Sequence, residues 1–162
     1  MTMTLRETLE ILSYVVTILG FPTAISVFLI QERHQRQNEE NGLHRMLSEE
    51  YDNFLQLMLT NADLLLFRNT LAEEELTPEQ KERRHILYTI LVSLFEKAYI
   101  IVHSDHMSRD TARMWSSWED DMREWCRREP FRRSLPTLLK GEDSEFSDYI
   151  RALAADEVAS VA

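Results

Sequence analysis

An uninterrupted apolar run over residues 11–30 constrains the fold of this chain more than any other feature. Its 20 residues include no charged side chain and no histidine. A helix of this length spans about 30 Å, which matches the hydrocarbon core of a bilayer. A cleavable signal peptide would need a basic start and a small-residue cleavage site, but here two glutamates accompany one arginine and no A-x-A site follows. The sequence therefore predicts one transmembrane helix over residues 11–30.

The arginines that flank this run predict its orientation. Arg6 precedes it, whereas Arg33, Arg36 and Arg45 follow it. Basic residues favour the cytoplasmic side of a membrane. The single cysteine, Cys126, also fits a reducing compartment. We expect a short N-terminal tail, residues 1–10, on the outer side of the membrane and a cytoplasmic C-terminal domain.

The remainder of the chain has the pattern of an all-α fold. The whole chain has only three glycines and four prolines, and apolar residues alternate weakly with polar ones. We expect a polar helical linker at residues 31–42, a helical bundle at 43–153 and a frayed C-terminal tail at 154–162. The fold class is therefore all-α, with one N-terminal transmembrane helix followed by a cytoplasmic helical bundle.

Six segments of the bundle have helical signals. Apolar residues recur every three or four positions over 43–59, and residues 61–67 suggest a turn with a short helix. Thr77 and Gln80 form a capping-box pattern around Pro78, so a helix should run from there to about residue 103. Its apolar positions, which include Ile86 and Ile90, predict the centre of the core rather than a second crossing, because charged residues interrupt the apolar run. A third helix should cover about 108–128, and two short helices should follow at 131–139 and 144–153.

Charge and motifs exclude several classes of function. The net charge is −10, which opposes general binding to nucleic acid. The sequence has no P-loop, no G-x-G-x-x-G, no G-x-S-x-G and no H-E-x-x-H motif. Glu82 and His85 form one E-x-x-H pair, whereas a di-iron bundle needs two, and the H-S-D-H group at 103–106 resembles a helix end with a loop. We predict that the protein is not an enzyme and has no catalytic residue, metal site or cofactor.

Small residues form a stripe in the predicted membrane helix. Ser13, Thr17, Gly20 and Ala24 are separated by four, three and four positions, so they share one face. Such residues let transmembrane helices approach closely, and packing then drives association. We predict that this face packs against another membrane helix, either of a different protein or of a second copy.

The predicted third helix carries a tryptophan stripe and, with the segment after it, an arginine cluster. The stripe consists of Trp115, Trp118 and Trp125, and the cluster of Arg123, Arg127, Arg128, Arg132 and Arg133. The tryptophans are interpreted first as core residues, and the arginines as intrahelical partners of Glu119, Asp120, Glu124 and Glu129. The alternative is a partner-binding surface, since tryptophan and arginine are enriched in binding hot spots.

A resemblance accompanies these patterns. The chain combines an N-terminal apolar helix with a W-x-x-W stripe, a Pro-Phe pair and a final F-x-x-Y-I-R; the residues are Trp115, Trp118, Pro130, Phe131, Phe146, Tyr149, Ile150 and Arg151. In this it resembles a group of uncharacterised bacterial single-pass membrane proteins. The resemblance covers most of the chain and implies a bacterial inner-membrane location, but its motifs are packing motifs and imply no activity.

Together these features predict a membrane-anchored helical interaction protein. It would act as an accessory subunit or a scaffold of a membrane assembly, with the bilayer and either other membrane proteins or itself as partners. Two alternatives remain open: a self-associating pore or effector gated by the cytoplasmic domain, and a metal-binding or enzymatic bundle.

Overall fold

The computed structural model describes residues 25–28, 30–31, 42–69 and 76–160. All helices and turns below belong to those ranges, which contain no β-strand. Within the predicted membrane helix, residues 25–28 and 30–31 are helical, and Ile25, Phe28 and Ile30 are exposed. The remainder of that helix, including its stripe of small residues, and most of the predicted linker lie outside the described residues.

The chain divides into two compact units, residues Met1–Gly42 and Leu43–Ala162. The second unit is built from five helices. They are α1, helical over 42–60; α2, Pro78–Val102; α3, Arg109–Cys126; α4, Glu129–Leu138; and α5, Ser144–Ala159. A 3-10 turn at Ala62–Leu64 follows α1. The prediction of an all-helical bundle is confirmed for the described residues.

Side-chain caps fix where α2 and α3 begin. The Thr77 hydroxyl accepts from the backbone N–H of Gln80, and the Gln80 side chain accepts from the backbone N–H of Thr77. This is the predicted capping box, with Pro78 in the first turn. Ser108 caps α3 in the same way by accepting from the N–H of Thr111. The predicted starts of both helices are therefore correct.

Helix α2 lies at the centre of the core. Its buried apolar residues pack against α3, α4, α5 and the 3-10 turn; they are Leu87, Tyr88, Leu91, Val92, Leu94, Phe95, Ala98 and Val102. By length and composition alone, α2 is the one helix among the described residues that could cross a membrane, although nearly half of the relevant window is buried within the protein. Ile86 and Ile90, predicted to lie in the core, are instead exposed.

Helices α1 and α2 run antiparallel. The ammonium of Lys97 lies 2.5 Å from a carboxylate oxygen of Glu50. At the other end of the pair, Arg83 donates to the Asn61 side chain at 2.8 Å and binds the Asp63 carboxylate at 2.6 Å. Positions later in α1 therefore face positions earlier in α2.

Helix α5 is longer than the sequence predicts. It continues to Ala159, and Leu153, Ala154 and Glu157 are buried. The prediction of a frayed tail from residue 154 is therefore wrong for residues 154–159. Helix α4 begins at Glu129 with Pro130 in its first turn, which agrees with the predicted boundary at this proline. Gly141 separates α4 from α5 with a φ of +96°, a conformation that favours glycine.

Candidate interaction surface

The structure places the tryptophan stripe in the core. Trp115, Trp118 and Trp125 are only 2–5% exposed. Trp125 contacts Phe54, Tyr88 and Phe131 with ring centroids 5.8–6.2 Å apart. These aromatic contacts join α1, α2 and α4 through α3, so the three indoles stabilise the bundle and offer almost no surface to a partner.

Arg128 covers this aromatic core at the end of α3. Its guanidinium carbon lies 4.6 Å from the centroid of Trp125 and 5.1 Å from that of Phe67. The same group donates to the backbone carbonyl and to the carboxylate of Glu124, while its Nε has no hydrogen-bond partner. Burial lowers the pKa of Arg128, and the Glu124 carboxylate acts in the opposite direction. Arg128 is therefore a structural residue that stacks on the rings.

Two arginines at the C-terminal end of α3 bind the end of α5. Arg123 lies 3.3 Å from one carboxylate oxygen of Glu157, and Arg127 lies 2.8 Å from the other. The two arginines also pair with carboxylates of α3, Arg123 with Glu119 and Arg127 with Glu124. Hydrogen bonding from Arg127 lowers the pKa of Glu157; burial opposes this change, and Arg123 reinforces it.

Glu119 extends this network to Tyr149 of α5, whose hydroxyl donates to it at 2.8 Å. Burial would raise the pKa of Glu119, but the hydrogen bonds from Tyr149 and Arg123 lower it overall. The Tyr149 pKa is raised, first by burial and then by the same carboxylate. We call this network the clamp between α3 and α5. It holds the two helices together and has a structural role.

The remaining arginines of the predicted partner surface also have intramolecular contacts. Arg132 donates to the Cys126 carbonyl at 2.6 Å, and Arg133 binds Glu129 at 2.7 Å. The intrahelical pairing predicted from sequence is thus present for Glu119, Glu124 and Glu129. The sequence missed Glu157, because it is far along the chain from its arginine partners and lies in the segment predicted to fray.

The thiol of Cys126 is buried and free. Burial raises its pKa to about 12, although the arginines nearby act in the opposite direction. A thiol with this pKa is protonated at neutral pH, and the thiolate is the nucleophilic form. Cys126 therefore fills space in the core.

The candidate metal ligands do not form a site. Among the described residues, no group of three or more His, Cys, Asp or Glu side chains is arranged to hold a metal ion. Glu82 and His85 are exposed. The His103 ring stacks on Tyr99, with centroids 4.6 Å apart, and meets Trp115 edge-on at 4.9 Å. His103 thus belongs to an aromatic cluster at the end of α2.

An apolar groove lies at the end of α1 and was not predicted. Its volume is about 540 Å³, and its lining includes Leu55, Met58, Leu59, Leu66 and Phe67. Leu65 also lines the groove and has a φ of 53°, a left-handed conformation that is unusual for leucine. The exposed rings and side chains of Phe67 and Leu59 make this groove one of the more apolar parts of the described surface.

No protein-family model, no curated protein and no solved structure matches this chain. The resemblance drawn from the Trp, Pro-Phe and Tyr-Ile-Arg motifs stays a prediction, and in the structure the aromatic residues of those motifs pack in the bundle.

Proposed function

We propose that this chain is a membrane-anchored interaction protein, in which a single N-terminal helix holds a cytoplasmic helical bundle at the bacterial inner membrane. The observation that carries the proposal is the uncharged run of 20 residues that precedes an acidic helical unit. A bilayer accommodates such a run at little cost, whereas water does not. The bundle would then act as an accessory subunit or a scaffold of a membrane assembly.

The chemistry of the bundle supports an interaction role. Several of the groups that could take part in a reaction have structural roles: the thiol of Cys126 is buried and protonated, the arginines of the cluster contact groups within the protein, and His103 lies among aromatic rings. Exposed apolar side chains on α1, α2 and the turn after α1 supply surface for a partner.

Membrane extraction tests the anchor. We expect the chain to sediment with membranes, to resist carbonate extraction and to dissolve in mild detergent. The matched variant Val15→Asp with Val16→Asp places two charges in the run and should release the protein into the soluble fraction. Wild-type protein that carbonate extracts would contradict the anchor.

Thiol labelling of intact cells tests the orientation. Cys126 is buried and gives little background, so a membrane-impermeant maleimide should label Thr4→Cys from outside and Val158→Cys only after lysis. The reverse pattern would contradict the cytoplasmic assignment and leave the anchor intact.

The small-residue face of the membrane helix has its own test. Gly20→Ile should reduce the mass of the detergent-extracted complex if Ser13, Thr17, Gly20 and Ala24 pack against another helix. An unchanged mass would contradict that packing. Liposomes that contain the pure protein should retain ions, and leakage would favour the pore alternative.

A further inference from the structure

We draw no further inference here: the strongest candidate, the apolar groove at the end of α1 that Leu59 and Phe67 help to line, carries nothing, because nothing in the structure shows what covers it.

Discussion

Glu157 holds the end of α5 against α3, since its nearly buried carboxylate accepts from two arginines. Glu157→Gln should lower the free energy of unfolding by about 1–2 kcal/mol, because the amide replaces an anion that accepts charge-assisted hydrogen bonds. Urea unfolding followed by tryptophan fluorescence measures the change.

Asp148→Asn on the same helix is the control for that change. Its side chain is 84% exposed and pairs with Arg151 on the surface of α5, so its loss should leave stability unchanged. Equal effects of the two variants would show that the clamp between α3 and α5 contributes nothing to stability.

Cys126 carries a potentially reactive thiol that burial in the core makes unreactive. With its pKa raised to about 12 and its side chain in the core, we expect no modification by iodoacetamide at pH 8 in the native state. Complete modification should follow in guanidinium chloride. Rapid stoichiometric labelling of native protein would contradict the burial of this residue.

At the scale of single elements, alanine substitutions at the two described glycines should change stability in opposite directions. Gly141 has a φ of +96°, and a Cβ added there would meet no atom within 4 Å. Gly141→Ala should therefore cost about 1–2 kcal/mol through backbone strain alone. Gly42 is helical and has equal space around it, so Gly42→Ala should stabilise the protein by up to about 1 kcal/mol.

Thermal unfolding of the two alanine variants checks these signs in one experiment. The midpoint should fall for Gly141→Ala and hold or rise for Gly42→Ala. A rise for Gly141→Ala would mean that the turn between α4 and α5 does not require its left-handed conformation.

Element boundaries show what a sequence can reveal. Thr77 and Ser108 cap their helices through neighbours three residues away, so their roles are readable from local sequence. Glu157 depends on arginines 30 and 34 positions earlier, and no local pattern indicates such a pair. The end of α5 was mispredicted for that reason.

The surfaces were harder to predict than the helices. Ile86 and Ile90 have the periodicity of core residues, yet they are exposed because α2 is apolar on more than one side. The groove after α1 is lined in part by Leu65, whose left-handed backbone leucine rarely adopts and no sequence pattern indicates. Periodicity identifies a helix reliably, but it does not show which of two apolar faces packs in the core.

For the whole molecule, carboxyl groups with lowered pKa values and carboxyl groups with raised pKa values change the stability in opposite directions as the pH falls. Glu119 and Glu157 have lowered pKa values, so their stabilising contribution is present above the ordinary glutamate pKa of 4.5 and is lost as pH falls below it. Glu142 has a raised pKa, because of burial and of hydrogen bonding with Glu96. Its contribution is present below pH 4.5 and is lost as pH rises through the folded value.

We therefore expect the free energy of unfolding to hold or rise slightly as the pH is lowered from 7 towards about 5, and to fall at more acid pH. Urea titrations across this range provide the measurement. Glu142→Gln should be more stable than wild type at pH 7 and lose that advantage near pH 4. A Glu142→Gln advantage that grows with acidity would contradict the assigned direction.

The central position of α2 has a consequence for how the protein is made. The three helices that cover its inner face, α3, α4 and α5, all follow it in the chain. During synthesis this helix, the one among the described residues that is long and apolar enough to span a membrane, therefore emerges before the helices that bury most of its core side chains. The core side chains of this helix stay exposed until translation has passed through α5. A chain truncated after residue 102 would therefore expose a second hydrophobic segment, which a membrane or a chaperone could bind.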